Sequence, residues 1–182
     1  MLKLADNPPI RPDSLASIAD ADGQWWVAHT KARNEKALAW DLMARGIDYF
    51  LPLVKRVTFS GGRKRHGMAP LFSSYVFFSG NEDARYTILT TNRVANVIPV
   101  TERECFVREL YAIEQAIEHD QRLVFCPTFA KGTRCRITHG PLENTEGIVL
   151  QGDDVTRVVL QVSMLGVGAS LEISGDLLEI LD

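Results

Sequence analysis

The sequence predicts an α+β protein in which an antiparallel sheet with helices is followed by a small β-barrel. Residues 24–119 alternate short aromatic or β-branched runs with stretches of helix-forming residues, the pattern of a mixed architecture. Residues 132–182 instead hold runs of period two, such as Val158, Leu160 and Val162, between Gly-rich turns. That second pattern is typical of a small barrel. The composition, 46% hydrophobic and 24% charged residues, is that of a globular chain.

The predicted elements of the first part follow one another as β-α-β-β-α-β with a terminal helix. Strands are predicted from aromatic and β-branched runs, and helices from stretches without Gly or Pro or with apolar residues three and four apart. In chain order they are a strand from Trp25, a helix over 33–45, a strand over 47–54, a turn at Gly61-Gly62, a strand over 71–78, a short helix or turn over 82–89, a strand over 94–100, and a helix through Phe106, Leu110, Ile113 and Ile117. This order predicts an antiparallel sheet with helices on one face.

Two irregular segments flank this first part. Residues 1–23 contain several prolines and no sustained periodicity, and they are expected to form a flexible extension. Residues 120–131 contain Pro127 and are expected to form a linker, with room for one short strand. Five short strands are predicted beyond it, and their turns lie at Gly140-Pro141, Gly152-Asp153-Asp154, and Gly166 with Gly168.

Composition and spacing argue against several classes of function. No uninterrupted apolar run approaches the roughly 18 residues of a membrane span, so the protein is expected to be cytoplasmic. Cys105, Cys126 and Cys135 form no C-x-x-C pair, and the four histidines are scattered. Neither a disulfide framework, a metal site nor a cofactor is therefore expected. The string GGRK at residues 61–64 lacks the spacing of a phosphate-binding loop, and no enzyme activity is expected.

Positive charge is concentrated in one part of an otherwise acidic chain. Residues 25–66 hold nine Lys or Arg and three acidic residues, whereas the whole chain has a net charge of −3. Such a local excess is either the footprint of a polyanionic partner or an ordinary solvated face. The basic stretch from Arg63 to His66 is joined to an aromatic segment from Phe72 to Phe78, which is unusual for a simple core hairpin.

Two strings of residues carry a family resemblance. KGTRCRITHGPLENTEGIVL, from Lys131, resembles a KOW motif, with Gly132 before an alternating strand and Gly147 opening the next one. WWVAHTKARNEKALAWDLMARGIDYFLPL followed by APLFSSYVFF resembles the N-terminal domain of NusG-type transcription elongation factors. The resemblance runs from about Trp25 to Asp182. The PLF-x-x-Y-x-F string and the hairpin before it are similar to specialised NusG paralogues, including RfaH.

The resemblance implies both the domain organisation and the function. A ferredoxin-like NusG N-terminal (NGN) domain over 24–119, a linker over 120–131 and an SH3-like five-stranded KOW β-barrel over 132–182 are expected. The implied function is a monomeric elongation factor that binds RNA polymerase, suppresses pausing and acts as a specialised antiterminator of particular operons. Two alternatives remain open: a housekeeping NusG that cooperates with Rho, and a ribosome-associated RNA-binding KOW protein.

The resemblance also implies which residues contact the polymerase. A sheet covered by helices on one face leaves alternate residues of the other face open, and an exposed aromatic patch usually marks an interface. The clamp helices of the β′ subunit are expected to bind Phe72, Tyr75, Phe77, His29 and Ile98. The region that corresponds to the contact of RfaH with the gate loop of the β subunit reads Arg85-Tyr86-Thr87, where RfaH has His-Thr-Thr.

Contacts with nucleic acid and with recruiting partners are implied in the same way. Lys31, Arg33 and Lys36 correspond to the region where RfaH-like proteins read the non-template DNA strand, and Arg63, Lys64, Arg65 and His66 form a hairpin tip expected near the upstream duplex. Lys and Arg at these places would attract phosphates in a salt-dependent way. In the barrel, Gly140 and Gly147 are expected to allow tight backbone passage. The loop with Met164, Leu165 and Gly166 is expected to contact ribosomal protein S10 or Rho.

Overall fold

The computed structural model describes residues 7–127, 132–151 and 156–181, which form two compact units divided between Arg103 and Glu104. The predicted turn at Gly152-Asp153-Asp154 and the end of the predicted linker lie outside the described residues. In the described part, no helix combines the length and the apolar character needed to cross a membrane.

The N-terminal unit is built on a four-stranded antiparallel sheet. Its elements, in chain order, are β1 (Gln24–Thr30), α1 (Glu35–Ala44), β2 (Asp48–Phe50), β3 (Leu53–Ser60), β4 (Arg63–Pro70), β5 (Tyr75–Gly80), α2 (Glu82–Thr90) and β6 (Val94–Pro99). The sheet has the order β2-β5-β1-β6, and β3 and β4 form a separate two-stranded hairpin. The predicted antiparallel sheet with helices is confirmed.

One face of the sheet packs against α1 and α2. Trp26 of β1 and Phe78 of β5 are directly paired, and their rings are stacked with centroids 6.3 Å apart. Leu38 of α1 and Ile88 of α2 belong to the same buried cluster. Because neighbouring strands place paired residues on one face, this cluster forms a continuous core under both helices.

The opposite face of the sheet is buried as well, which corrects the expectation of a face left open. Trp25, Val27, Phe50 and Phe77 alternate with the residues of the helix-covered face, and all four are fully buried. Strand β1 therefore shows an almost continuous run of buried residues instead of an alternating pattern. Of the five residues that the sequence assigns to an exposed patch, Phe72 and Phe77 lie in the interior.

The predicted strand over 47–54 is two strands in the structure. It divides between β2 and β3 at Leu51 and Pro52, because Pro52 has no N–H to donate to a sheet ladder. β3 leaves the sheet and pairs along its whole length with β4. The basic stretch from Arg63 is therefore part of a strand, and the predicted strand over 71–78 begins only at Tyr75.

The N-terminal segment is packed against the unit from Asn7 onward, which corrects the expectation of a flexible extension there. The Tyr49 hydroxyl donates to the Pro9 carbonyl at 3.0 Å, and the Leu51 N–H donates to the Ile10 carbonyl at 2.7 Å. Ser17 caps a 3₁₀ turn over Ile18–Asp20, in which Ile18 is fully buried. The segment lacks periodicity because its contacts are made by single residues and not by a helical or strand face.

Ile18→Ala is therefore expected to lower the free energy of unfolding by about 2–5 kcal/mol, since a buried isoleucine would leave a cavity. Urea unfolding followed by circular dichroism measures the change. Ser14→Ala, at an exposed position of the same segment, is the control and is expected to have little effect. Equal stabilities of the two variants would show that the segment does not contribute to the core.

The C-terminal unit consists of a helix and an all-antiparallel sheet. Its elements are α3 (Arg103–Glu118), whose first residue precedes the division, and β7 (Val124–Cys126), β8 (Thr133–Ile137), β9 (Glu146–Gln151), β10 (Thr156–Val162), β11 (Val167–Glu172) and β12 (Leu178–Ile180). The strand order is β12-β8-β9-β10-β11-β7. The predicted change to an all-β region of five short strands is confirmed, and β7 from the predicted linker adds a sixth.

Period-two and helical patterns both correspond to buried faces in this unit. Val158, Leu160 and Val162 of β10 are buried, as their alternation predicts. On α3, Phe106 and Leu110 are buried on the predicted apolar stripe. These regular elements are the parts of the unit that local sequence pattern describes well.

Candidate functional site

Four of the five residues predicted to bind the polymerase clamp lie on one face of the N-terminal sheet. The register pairs His29 with Tyr75 and Val27 with both Phe77 and Ile98. Because directly paired residues share a face and positions two apart lie on the same side, these side chains form two adjacent rows. The sheet thus brings together residues that lie far apart in the sequence.

Exposure divides this set into an open part and an interior part. Phe77 is 0% exposed and Phe72 is 1% exposed, so the expectation that these rings face solvent is wrong. The Phe77 ring stacks on Phe50 with centroids 6.4 Å apart and meets the edge of Phe72 at 6.1 Å. His29 is exposed, while Tyr75 and Ile98 are half-buried.

The open part is centred on a stacked pair of rings, His29 and Tyr75. Their centroids are 5.2 Å apart and their planes differ by 25°. His29 lies near the end of β1, and Tyr75 lies at the start of β5. The pair offers a flat aromatic surface with polar edges, a type of surface suited to a protein interface.

A buried carboxylate holds this pair in place, and sequence reasoning missed it. Glu35 lies in the first turn of α1, and its carboxylate accepts the Ser74 N–H at 2.7 Å. Ser74 has a φ of 67°, and its carbonyl accepts the Thr30 N–H at 2.8 Å. The turn before Tyr75 is thereby tied to the end of β1, next to His29. No local signal in the sequence marks Glu35 for this role.

The residues that correspond to the gate-loop region lie on α2. The Arg85 guanidinium lies 5.5 Å from the centre of the Trp26 ring and pairs with Glu82 at 3.1 Å. Tyr86 is 69% exposed, and Thr87 is half-buried. Of the three, Tyr86 presents an open surface, whereas Arg85 is engaged within the unit.

The three cations between β1 and α1 differ in their surroundings. The Lys31 ammonium donates to the side-chain oxygen of Asn92, and Arg33 is exposed with a left-handed φ of 62°. Lys36 is half-buried, and its ammonium donates to Asn7 and to the Met68 carbonyl. Burial lowers the pKa of Lys36, although the charge of the adjacent Glu35 opposes this. Lys36 is therefore engaged internally, and Arg33 is the open cation of this group.

The β3–β4 hairpin carries the second basic group. Gly61 and Gly62 connect its strands with φ of 58° and 73°, the left-handed pair of a two-residue type I′ turn, which glycine adopts without strain. The four predicted residues, Arg63, Lys64, Arg65 and His66, are all exposed. The tip is thus a regular extended ribbon, with its charges held at fixed positions along the strand.

Phe59 is a further open residue of this hairpin that sequence reasoning did not select. It is 76% exposed, the largest fraction among the exposed large apolar side chains of the described chain. It lies directly opposite Lys64 on β4. The signal in the sequence is its spacing of two from Val57, which becomes informative only when the hairpin register is known.

In the C-terminal unit the predicted glycines lie where a positive φ or a close contact disfavours any side chain. Gly140 has a φ of 92°, and a Cβ on Gly147 would lie 2.5 Å from Val158 Cγ1. Gly166, with a φ of 67°, ends a 3₁₀ turn over Ser163–Leu165. Met164 is exposed and Leu165 is half-buried. The turn therefore presents the exposed Met164 side chain at the corner between β10 and β11.

Two further features of the C-terminal unit concern its charges. The Glu109 carboxylate of α3 accepts the Ser163 N–H at 2.9 Å and also the Ser163 hydroxyl. Hydrogen bonds from Arg136 and Arg134 lower the pKa of Glu146, which forms ion pairs with both at 3.1 Å and 2.9 Å.

Across the described residues, no group of three or more His, Cys, Asp or Glu side chains is placed to hold a metal ion.

Together these features define the class of the protein: an antiparallel sheet with helices and a separate two-stranded hairpin, followed by a six-stranded all-β sheet. The sequence model of the family described as "Transcription termination factor nusG" matches residues 23–117, more than half of the chain, and the chain therefore belongs to the NusG family. The family part of the resemblance is confirmed. The chain is a NusG-type transcription factor, and the all-β sheet region that follows α3 is consistent with a KOW domain.

Two solved structures are similar to this chain. The structure titled "Domain interaction in Thermotoga maritima NusG" is 17% identical, with a TM-score of 0.49, over 87% of this chain and 97% of the other. The structure of an "MjSpt4:Spt5 complex" in conformation B is 14% identical, with a TM-score of 0.27, over the same shares of the two chains. Both TM-scores are below 0.5, and neither likeness carries an argument about function. No curated protein matches the sequence significantly.

The burial of Phe77 has a consequence for mutagenesis of this surface. Phe77→Ala is expected to lower the free energy of unfolding by about 3–5 kcal/mol, because it opens a cavity in the core. Tyr75→Ala is expected to cost about 1 kcal/mol, because Tyr75 loses mainly its stacking on His29. Chemical denaturation of the two single variants measures both values. A small effect of Phe77→Ala would place this ring at the surface.

Proposed function

We propose that this protein is a transcription elongation factor that binds RNA polymerase, suppresses pausing and acts as a specialised antiterminator of particular operons. The observation that carries the proposal is membership of the NusG family over residues 23–117. We propose an NGN domain over 24–119, a linker over 120–131 and a KOW domain over 132–182. The family match supports including most of α3 in the first domain, although the compact units divide after Arg103.

His29, Tyr75 and Ile98 are the residues of the predicted patch that reach the surface, and we propose that they contact the β′ clamp helices. A stacked His–Tyr pair loses little conformational freedom on binding and buries a large area, as interface hot spots do. Phe72 and Phe77 support this surface from the interior and do not contact the partner. Tyr86, with Arg85 and Thr87 beside it, is proposed to face the gate loop of the β subunit.

Suppression of pausing follows from differential binding. A factor that binds the closed elongating polymerase more tightly than a swivelled or open form shifts the population toward elongation. The free energy that shifts this population equals the difference between the binding free energies of the factor for the two forms of the polymerase. No catalytic group is needed for this effect.

The non-template DNA strand is the proposed polyanionic partner. Arg33 and Lys31 lie where β1 ends, and Arg63, Lys64, Arg65 and His66 lie on the exposed hairpin. Lysine and arginine at these places release counterions when they bind phosphates. The contacts of Lys36 with Asn7 and Met68 favour a supporting role for this residue.

The C-terminal unit is the proposed recruiting module. Met164, Leu165 and Gly166 form a corner on which an apolar side chain is exposed. Ribosomal protein S10 or Rho is the proposed partner of this corner. Gly140 and Gly147 maintain the backbone of the barrel and are not proposed as contacts.

A specific observation favours a second function, a housekeeping factor that cooperates with Rho. The family is described as a transcription termination factor. Transcription by purified polymerase with Rho separates the two functions, because an antiterminator extends the transcripts past the terminator and a Rho cofactor shortens them.

The double variant His29→Ala, Tyr75→Ala is expected to weaken binding to core RNA polymerase at least about tenfold, since it removes the open ring pair. Biolayer interferometry with immobilised polymerase measures the affinity. The matched control is Tyr111→Ala with His119→Ala, an exposed Tyr and His of the C-terminal unit. Equal affinities of the two double variants would contradict the proposed contact surface.

Replacing Arg63, Lys64 and Arg65 by Ser is expected to flatten the salt dependence of binding to an elongation complex. The slope of log K against log salt should become less steep by about 0.7 for each phosphate of the non-template strand that these cations neutralise in the wild type. Affinities measured at several KCl concentrations give the slope. Replacing Arg122, Arg134 and Arg157 by Ser makes the same change in charge at exposed positions of the C-terminal unit. If both triple variants keep the wild-type slope, the hairpin does not contact DNA.

A further inference from the structure

The two faces of the hairpin carry different side chains. On one face, Arg65 lies opposite Thr58 and Arg63 opposite Ser60, with Arg56 two positions further along. On the other face, Phe59 lies opposite Lys64. Since directly opposed residues share a face and successive residues alternate, arginines occupy one face and the exposed ring occupies the other.

The Phe59 face continues along the ribbon with alternating apolar and cationic groups. Val57 lies opposite His66 and Lys55 opposite Met68. Phe59 is 76% exposed, and Val57 and Lys64 are exposed as well. The ring therefore stands on an open surface, with Lys64 directly across the ladder and Lys55 two same-face positions further along its own strand.

The charge of the hairpin is not compensated within it. Residues 53–70 contain five Lys or Arg and no Asp or Glu. Within the described ranges, no ion pair is formed by Arg56, Arg63, Lys64 or Arg65. The ribbon thus presents a positive potential on both faces, which selects for an anionic partner.

We propose that the Phe59 face of the hairpin is a binding platform for single-stranded nucleic acid. One unpaired base stacks on the Phe59 ring, Lys64 beside the ring attracts an adjacent phosphate, and Lys55 attracts a phosphate further along the ribbon. The arginine face adds charge alone. This inference deepens the nucleic-acid contact of the proposed function and rests on it. It adds a stacking residue to a contact that was otherwise electrostatic.

Two observations favour an unpaired strand over a duplex and over a protein. An exposed ring can stack only on a base whose face is free, and in a duplex the neighbouring base pairs cover that face. The apolar centre of a protein interface is depleted in lysine, whereas Lys64 lies directly opposite Phe59. Aromatic side chains interleaved with cations are the usual composition of a single-strand platform.

The test uses the full chain and fluorescent oligo(dT) and oligo(rU) of about 15 nucleotides, within the usual range of site sizes, together with a DNA duplex of the same length. Fluorescence anisotropy gives the affinities at several salt concentrations. Phe59→Ile keeps the strand propensity and removes the ring, and Phe59→Trp keeps a ring. The matched control is Phe125→Ile, a phenylalanine of β7 that is 46% exposed.

Phe59→Ile is expected to weaken binding to the oligonucleotides at least about fivefold without changing the salt slope, because no cation is removed. Phe59→Trp and Phe125→Ile are expected to bind as the wild type does. The double variant Arg63→Ser, Arg65→Ser is expected to reduce the slope by about 0.7 for each single-strand phosphate that the two arginines neutralise in the wild type. Thermal melting by circular dichroism confirms that each variant is folded.

Several outcomes would overturn the inference. The first is that Phe59→Ile binds the oligonucleotides as tightly as the wild type does. The second is that Phe59→Ile loses as much affinity for the DNA duplex as for the oligonucleotides. The third is that the wild type binds neither oligonucleotide. Loss of polymerase affinity in Phe59→Ile with unchanged oligonucleotide binding would assign the ring to a protein contact instead. If the wild type binds polymerase but neither oligonucleotide, the binding platform is contradicted and the proposed function is not. If the wild type binds the oligonucleotides but not polymerase, the proposed function is contradicted and the binding platform is not.

Discussion

Burial of both faces of the N-terminal sheet is the constraint that determines where this protein can present a binding surface. β1 is a central strand, with Trp25 and Val27 toward one side and Trp26 and Ala28 toward the other, all of them buried. A sheet with two apolar faces can offer side chains to a partner only where its strands end or where one of them leaves it. The His29–Tyr75 pair and the hairpin occupy two such places.

A single carboxylate connects the neighbouring parts of this surface. Glu35 binds the Ser74 N–H and so fixes the turn that leads into Tyr75. Ser74 in turn accepts the N–H of Thr30, and the next residue, Lys31, donates its N–H to the Arg93 carbonyl. The aromatic pair and the cations after β1 are therefore positioned by one network of hydrogen bonds. A buried charge in the first turn of a helix is also favoured by the helix dipole, which helps to explain how the fold tolerates it.

The hairpin is polar and positive because its strands, β3 and β4, are not part of the four-stranded sheet. Pro52 separates it from β2, and Pro70 ends its second strand. Leu53 and Met68 at its base still belong to the core packing, whereas the positions nearer the turn are mostly exposed and can carry charge without a desolvation cost. The left-handed glycines at the turn keep the two strands in register, and this register assigns the arginines and Phe59 to opposite faces.

The sequence by itself determined the order and type of most elements, the change to an all-β region, and the family resemblance. These follow from local signals: the apolar stripe of α3, the period of two in β10, and glycines at turns. Tertiary structure decided the burial of Phe72 and Phe77, the packing of the segment around Ile18, the role of Glu35 and the two faces of the hairpin. The physical reason is that local pattern reports whether a residue is apolar and how it repeats. Only the register of distant strands, and what packs against each face, decides whether a ring lies in the core or in solvent.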